Sequence, residues 1–171
     1  MQKGKSKVAI IGAGFVGAAS AYAIALRQVC TELVMIDVMA DKAAGEADDI
    51  KHGLPFLGQM DIYSGGYECV KDCDVIVVTA GANRKPGETR LDLAKKNASI
   101  GKSIAESIMK YYNGGVILVV ANPVDILTYL FTKWTGLPKG MVLGSGTSLD
   151  TIRFRSALAS RTDIDVSNIH G

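Results

Sequence analysis

The chain has 171 residues, 48% of them hydrophobic and 21% charged, and 19 Lys and Arg against 17 Asp and Glu give a formal net charge of +2. This length suits at most one complete globular domain, and the balanced charge, without a basic stripe, argues against nucleic acid as a partner. The thiols of Cys30, Cys69 and Cys73 have no second Cys/His pair at metal-ligand spacing. We therefore predict buried or surface thiols in a reducing cytoplasm and no metal site.

The N-terminus has the hydropathy of a signal peptide or a short membrane span. Three lysines precede an uncharged, largely apolar run at 8–26. The run is rich in alanine rather than leucine, however, and it carries three glycines at fixed offsets before a second strand-like run at 32–37. We therefore expect neither secretion nor membrane insertion.

Strand-like and helix-like segments alternate along the chain. In order, the predicted elements are a strand at 7–11, a helix at 15–28, a strand at 33–36, a helix at 41–52, a strand at 74–79, a helix at 88–112 and a strand at 116–120. Asp41 is the expected N-cap of the second helix, which should end at Gly53. The last two strands are continuous apolar runs, typical of strands buried on both faces of a parallel sheet. The alternation predicts a doubly wound α/β sheet.

The first strand–turn–helix carries Gly12-Ala13-Gly14-Phe15-Val16-Gly17. In this context Gly12 would make the tight turn, Gly14 would let the backbone approach a pyrophosphate, and Gly17 would allow close packing of helix on strand. The helix N-terminus would offer N–H groups to the phosphates. Asp37 closes the second strand twenty residues after Gly17, where its carboxylate would accept hydrogen bonds from ribose hydroxyls and repel a 2′-phosphate. The pattern predicts a dinucleotide site that favours NAD.

Three further motifs follow strands, at the edge where open parallel sheets bind ligands. They are Thr79-Ala80-Gly81-Ala82, Asn122-Pro123, and Ser145-Gly146-Thr147 leading into a helix. Asn122 and Pro123 also suit the start of a helix, with Asn as cap and Pro at the first helical position. Asp150 and Arg153 share one helix face, and a surface salt bridge of little energetic value is the alternative to a functional role.

The segment 81–90, which we name the arginine loop, places Arg84 and Arg90 six residues apart between glycines and a proline. Two fixed cations in a loop over a cofactor site suit a small substrate with at least two negative or polarisable oxygens. This loop is the predicted carrier of substrate specificity.

Taken together, these motifs resemble the N-terminal half of the lactate/malate dehydrogenase family, in its bacterial lactate-dehydrogenase-like branch. The similarity extends through G-A-G-F-V-G, T-A-G-A-N-R-K-P-G-E-T-R, A-N-P-V-D and G-S-G-T-S-L-D-T-I-R-F-R. It implies an NAD-binding Rossmann domain at 1–144 and an incomplete start of a substrate and catalytic domain at 145–171. It also implies a cytoplasmic enzyme, a homodimer or homotetramer when full length, that transfers a hydride reversibly between a 2-hydroxy acid and NAD.

The resemblance also implies roles for individual residues. Arg90 would polarise the reacting carbonyl, Arg153 would bridge the substrate carboxylate at two points, Asn122 would lie near the nicotinamide and the substrate oxygen, and Asp150 would orient a catalytic histidine. The implied cofactor contacts are Gly12, Gly14, Phe15, Val16, Gly17, Asp37, Thr79, Ala80, Gly81, Ala82, Val120 and Asn122.

The resemblance makes Arg84 the position that discriminates between substrates. Lactate-selective members of the family have Gln at this position, whereas malate enzymes have Arg. A guanidinium can meet the second carboxylate of oxaloacetate with paired charge-assisted hydrogen bonds. Pyruvate offers only a methyl group, and an uncompensated buried charge costs about 3–5 kcal/mol. This residue predicts a malate dehydrogenase acting on a dicarboxylate, with L-lactate dehydrogenase, acting on pyruvate, as the alternative.

The family pattern requires a general acid–base histidine, and neither His52 nor His170 matches it. Without a matching histidine, we expect the chain alone to catalyse little, and we expect it to bind NAD weakly.

In allosteric bacterial members of the family, a histidine at the position of His170 and an arginine at the position of Arg155 contact a phosphorylated activator.

Two readings outside the family stay open on the residues alone. A non-catalytic NAD-binding regulatory module would explain the glycine-rich turn and Asp37, and a methyltransferase of similar sheet architecture would tolerate such a turn. The module does not account for Arg84, Arg90, Asp150 and Arg153 together, and the methyltransferase predicts no cationic loop over the site.

Overall fold

A computed structural model describes residues 5–170. The strands are β1 Lys7–Ile11, β2 Glu32–Ile36, β3 Asp61–Ser64, β4 Val75–Val78, β5 Val116–Val119 and β6 Val142–Gly144. The α-helices are α1 Phe15–Arg27, α2 Ala40–Gly53, α3 Arg90–Met109, α4 Val124–Thr135 and α5 Ser148–Ala159. Short 3₁₀ segments occupy Leu54–Phe56, Tyr67–Val70 and Val166–Asn168.

The six strands form one parallel sheet in the order β3-β2-β1-β4-β5-β6. The register aligns Ile11 of β1 with Ile36 of β2 on one side and Val78 of β4 on the other. Strand order reverses between β1 and β4, which is the switch point where doubly wound sheets bind ligands. The predicted doubly wound fold is confirmed.

The core forms two layers, one on each face of the sheet. Ala9 and Ile11 of β1 belong to the layer that α3 and α4 cover, with Phe131 at its centre. Val8 and Ile10 belong to the opposite layer, which α1 and α2 cover. Neighbouring residues of a strand point to opposite faces of the sheet. Because the buried residues of the strands are apolar, both faces of the sheet are apolar.

The starts of α2 and α4 differ from the sequence prediction. Met39, not Asp41, is the N-cap of α2, because the Asp37 carboxylate accepts a hydrogen bond from the Met39 N–H at 2.9 Å and starts the helix two residues earlier. Pro123, expected at the first helical position of α4, is instead its extended N-cap, and the Asn122 side chain makes no capping bond.

The short strands β3 and β6 lie at the two edges of the sheet. β3 has a single fully buried side chain, that of Ile62, and β6 has three residues. Such short segments carry too little apolar periodicity to be read from the sequence.

Helix α5 packs mainly on the 3₁₀ segment Val166–Asn168 and buries none of its own residues. Its apolar side chains at Leu149, Ile152 and Phe154 are more than half exposed. The domain boundary after residue 144 stays a prediction. Within residues 5–170, no helix combines the length and the apolar character needed to cross a membrane.

Candidate cofactor-binding site

A cleft of about 840 Å³ opens at the carboxyl ends of β1 and β4, at the switch point of the sheet. Its volume is typical of sites for cofactor-sized ligands, about 300–1,000 Å³. All of the predicted cofactor residues line it except Val120 and Asn122. The sequence prediction did not include the other lining residues, namely Ile11, Val38, Met39, Lys42, Tyr67, Asn83, Ser99, Ile100, Ser103, Ile104 and Ser107.

The glycine-rich turn at the base of the cleft has little room for side chains. Gly12 has φ +107°, and a Cβ there would lie 2.6 Å from the Ala80 nitrogen. A Cβ on Gly17 would overlap the carbonyl oxygen of Gly12. No atom outside the immediate chain neighbours lies within 4 Å of a Cβ built on Gly14, which faces the cleft. Packing therefore demands glycine at 12 and 17, whereas the space at Gly14 is left to a ligand.

The N-terminus of α1 points its unpaired backbone groups at this turn. Gly14 is the N-cap without a side-chain capping bond, and the first turn has no acidic residue. The first backbone bond runs from Ala18 N to the Gly14 carbonyl, at 2.9 Å. The N–H groups of Phe15, Val16 and Gly17 thus precede the helical ladder, and with the positive end of the helix dipole they suit an anion.

Asp37 ties the end of β2 to the same turn. Its Oδ2 accepts from the Ala13 N–H at 2.6 Å, and its Oδ1 accepts from the Met39 N–H at 2.9 Å. Both oxygens keep further lone pairs for a ligand hydroxyl. Tyr67 lines the cleft nearby, and burial together with the negative charge of Asp37 raises the pKa of its phenol.

The opposite wall of the cleft comes from β4 and α3. The Thr79 hydroxyl lies 3.1 Å from the carbonyl oxygen of Ile11 and 3.0 Å from that of Gly12, so it fastens the end of β4 to the turn. Ser99, Ser103 and Ser107 follow one another at four-residue spacing along α3, which places their hydroxyls on one helix face. That spacing is the signal that the sequence offered for this wall.

The arginine loop is ordered by its own hydrogen bonds. The Lys85 N–H donates to the Glu88 carboxylate at 2.9 Å, and the Glu88 N–H donates to the Lys85 carbonyl at 3.1 Å. Gly87 has φ +82°, as the third residue of a type II turn requires. At the end of the loop, the side chain of Thr89 and that of Asp92 form a capping box for α3.

Both loop arginines, Arg84 and Arg90, are exposed and lie outside the cleft lining. Neither guanidinium has a hydrogen bond or ion pair to another described residue. Their cations are therefore available to a ligand above the cleft.

Val120 and Asn122 lie at the end of β5, beside the cleft rather than in its lining. The Val120 N–H donates to the Val78 carbonyl at 2.9 Å. The Asn122 carbonyl accepts from the buried side chain of Asn97 at 2.7 Å. Sequence reasoning missed Asn97, because a single asparagine within a helix carries no pattern.

The remaining predicted residues lie on α5 and after it. Arg153 donates to the Asp150 carboxylate at 3.3 Å, and both side chains are about 70% exposed. The structure thus shows the surface pair between them and brings neither to the cleft. The Arg155 guanidinium donates to the Val166 carbonyl at 2.9 Å, and His170 is exposed. Their role toward an activator stays a prediction.

No described histidine lines the cleft. His52 is in the last turn of α2, whose first turns border the cleft through Lys42. Ten residues of helix at 1.5 Å per residue place His52 about 15 Å farther along. His52 therefore lies away from the cleft.

The cysteines are not arranged for chemistry. Cys30 and Cys73 are buried and Cys69 is half-buried, and none of the three forms a disulfide bond. Burial raises the pKa of Cys73 to about 11 and also raises that of Cys69, so both stay protonated at neutral pH and are poor nucleophiles. Among the described residues no cluster of three His, Cys, Asp or Glu side chains is placed to hold a metal ion.

The family model for the lactate/malate dehydrogenase NAD-binding domain matches residues 6–144. A curated L-lactate dehydrogenase of Thermoanaerobacterium saccharolyticum is 55% identical over 97% of the chain and 53% of its own length.

Among solved structures, the minor L-lactate dehydrogenase of Enterococcus mundtii in its ligand-bound form superposes with a TM-score of 0.94 at 45% identity, over 99% of this chain and 54% of that one. The apo malate dehydrogenase of Picrophilus torridus gives 0.90 at 41% identity, over 96% and 53%.

The chain spans about half the length of the curated relatives it matches. The family model nevertheless covers most of the chain, and its cofactor is the one that the glycine-rich turn and Asp37 predict. The chain belongs to the lactate/malate dehydrogenase family and contains its NAD-binding domain.

Proposed function

We propose that the chain forms the cofactor half of an NAD-dependent L-lactate dehydrogenase that interconverts pyruvate and lactate. The observation that carries the dehydrogenase proposal is the uncapped N-terminus of α1, which borders the cleft at the switch point without an acidic residue in its first turn. The choice of lactate rests on likeness, since the relative that is 55% identical to the chain is named L-lactate dehydrogenase.

The cleft fits NAD through groups already in place. The pyrophosphate would accept hydrogen bonds from the N–H groups of Gly14, Phe15 and Val16, where no acidic side chain competes for the helix dipole. The ribose hydroxyls would donate to Asp37, which two backbone amides hold in position. Gly81 would border the rest of the cofactor from the end of β4. Bound NAD supplies or accepts the hydride.

The chain's own side chains would bind and polarise the substrate. Arg90 would direct its cation at the carbonyl oxygen, where negative charge develops during reduction. Arg153 would pair with the substrate carboxylate once released from Asp150, a pair whose exposure makes it weak. Asn122 would approach the carbonyl oxygen of the substrate from the end of β5. Domain 1–144 would thus hold the cofactor, and residues 145–171 would contribute to substrate binding.

Reduction of the 2-keto acid also needs a proton at the carbonyl oxygen. A histidine held by Asp150 is the proposed donor. The described cleft contains no histidine, so its residues can bind cofactor and orient substrate but do not supply this proton. The homodimer or homotetramer expected of the complete enzyme and its cytoplasmic location are part of the same proposal.

Malate dehydrogenase is the second candidate, and Arg84 is the observation that favours it. Its guanidinium is exposed, and no described residue neutralises it. A second substrate carboxylate would pair with it bidentately, whereas pyruvate would leave the charge without a partner once water is excluded.

The test measures kcat/KM of the full-length enzyme for pyruvate and oxaloacetate with NADH. The lactate proposal predicts at least a tenfold preference for pyruvate. In Arg84→Gln, kcat/KM for oxaloacetate should fall a further 10- to 100-fold relative to kcat/KM for pyruvate, because a hydrogen bond to a charged group is worth about 1.5–3 kcal/mol.

Arg27→Gln, the same change at an exposed position of α1 outside the cleft, should leave the ratio unchanged. A wild-type preference for oxaloacetate would establish the malate candidate instead. Absence of turnover with either acid would refute the dehydrogenase proposal.

A further inference from the structure

We infer that Asn97 is a positioning residue that fixes the base of the arginine loop to the turn at Asn122. The inference rests on the proposed function, since it concerns how the residues proposed to bind substrate are held relative to one another. Asn97 belongs to α3, whose first residue is Arg90. It does not line the cofactor cleft.

The Asn97 side chain is 3% exposed and is the only polar side chain in the buried core of residues 5–170. Its Oδ1 accepts from the Ala82 N–H at 2.7 Å. Its Nδ2 lies 3.3 Å from the Ala82 carbonyl oxygen and 2.7 Å from the Asn122 carbonyl oxygen. Both amide hydrogens and the amide oxygen are thus used.

This pattern pairs both backbone groups of one residue, Ala82, with one side chain, as a neighbouring strand would do. Ala82 lies two residues before Arg84, and the capping box at Thr89 holds the other end of the loop. The segment 83–88 therefore lies between two hydrogen-bonded ends. The hydrogen bonds that hold Ala82, at the first of these ends, come from Asn97.

The same side chain reaches the end of β5 through Asn122. Asn97 follows Arg90 by about two helical turns, so a single rigid helix carries Arg90 and the contacts to both loops. Displacing Asn97 would alter the position of Arg84 relative to Asn122, while the glycine-rich turn and Asp37 would keep their own contacts.

Other side chains cannot replace the amide. Aspartate would still accept from the Ala82 N–H, but it would face two carbonyl oxygens without a hydrogen to donate. Glutamine carries one more methylene into a packed site. Alanine would leave the Ala82 N–H and two carbonyls without their partner.

The first experiment compares wild type, Asn97→Asp and the control Gln59→Glu in the full-length enzyme. Gln59 is exposed and undergoes the same change from amide to carboxylate outside the cleft. In Asn97→Asp, kcat for the preferred keto acid should fall 10- to 100-fold, whereas the Kd for NADH should change less than threefold. The control should match wild type in both quantities. If Asn97→Asp does not fold, Asn97→Ser, which adds no charge, should show the same split.

The second experiment needs no turnover and so separates this inference from the proposed function. Hydrogen exchange of the Ala82 amide, measured by NMR on the 171-residue chain, should be at least tenfold faster in Asn97→Ala than in wild type. Exchange of the Ile10 amide in β1 should stay within twofold.

A kcat within twofold of wild type in Asn97→Asp, or losses of kcat and NADH affinity in equal proportion, would overturn the positioning role. Unchanged exchange at Ala82 in Asn97→Ala would refute the claim that Asn97 holds Ala82. If wild type reduces neither pyruvate nor oxaloacetate, the proposed function fails, and the exchange measurement alone decides whether Asn97 holds Ala82.

Discussion

The glycines of the first turn differ in their surroundings. Gly17 lies where α1 crosses the turn, and a side chain there would collide with the backbone of Gly12. Gly14 faces open space in the cleft. Packing therefore accounts for the glycine at 17, and we propose that ligand binding accounts for the one at 14.

We predict that Gly17→Ala lowers the free energy of unfolding by about 1–3 kcal/mol, the usual cost of forcing extra volume into a packed site. Gly14→Ala should lower it by less than about 1 kcal/mol, the scale of an N-cap change, yet weaken NADH binding at least tenfold. Urea unfolding and NADH titration of both variants check this. Equal destabilisation by the two substitutions would contradict the division of roles.

At this scale the sequence predicted residues whose contacts are local. Gly12, Gly17 and Asp37 stand at fixed offsets around one strand–turn–helix, so their pattern survives in a linear chain. Tyr67 and Asn97 were missed because their partners are distant: Asn97 meets a carbonyl 25 positions away. A hydrogen bond between two loops leaves no periodic trace in the sequence.

At the scale of elements, a polar cluster at the start of the sheet joins three strands. Tyr63 of β3 donates to the Glu32 carboxylate of β2 at 2.5 Å, and Lys7 of β1 lies 3.1 Å from the same oxygen. Burial, followed by the hydrogen bond to Glu32, raises the pKa of Tyr63 to about 12. The hydrogen bond from Tyr63 in turn lowers the pKa of Glu32.

The raised pKa of Tyr63 predicts a loss of stability at alkaline pH. In the unfolded chain this phenol ionises near pH 10, whereas in the folded chain it stays neutral until about 12. Its contribution is therefore complete below pH 10 and declines as the pH rises from 10 to 12. The lowered pKa of Glu32 acts in the opposite sense, and its contribution is lost as the pH falls below about 4.5.

Tyr63→Phe should make the fall of unfolding free energy between pH 9.5 and 11.5 less steep, by up to one proton in the linkage slope. Urea denaturation across this range measures the slope. Tyr111→Phe, at an exposed tyrosine, is the matched control and should retain the wild-type slope. Equal slopes in Tyr63→Phe and wild type would show that Tyr63 does not carry the alkaline dependence.

Element boundaries were predictable where packing follows the pattern of apolar residues. β1 matches its predicted range, and α1 differs by one residue. Helix α3 is shorter than the predicted helix at 88–112. It begins after the capping box at Thr89, and its last residue is Met109. β3 escaped prediction because its stability comes from pairing with β2, not from its own side chains.

At the scale of the whole molecule, the order of the strands explains why residues far apart in sequence form one cleft. β1 and β4 are neighbours although 63 residues separate Ile11 from Val75. Their carboxyl ends bring the glycine-rich turn next to Thr79 and Ala80. The alternation of strands and helices predicted a doubly wound sheet, but pairing partners and order come from tertiary packing.

The substrate side of the site is less complete than the cofactor side. Asp37 and the turn already have their geometry, whereas Arg84 and Arg90 face solvent and Asp150 pairs with Arg153 on an exposed helix. Relatives are about twice as long as this chain. The cofactor role can therefore be tested on the chain itself, and substrate specificity on the full-length enzyme.

NAD binding in the cleft at the switch point can be measured by NMR titration of the 18.1 kDa chain with NADH. We expect saturable amide shifts in 12–17, 37–39 and 79–82, and a weaker response to NADPH because its 2′-phosphate would meet the Asp37 carboxylate. Shifts confined to other parts of the chain, or equal affinities for NADH and NADPH, would overturn this assignment of the cofactor site.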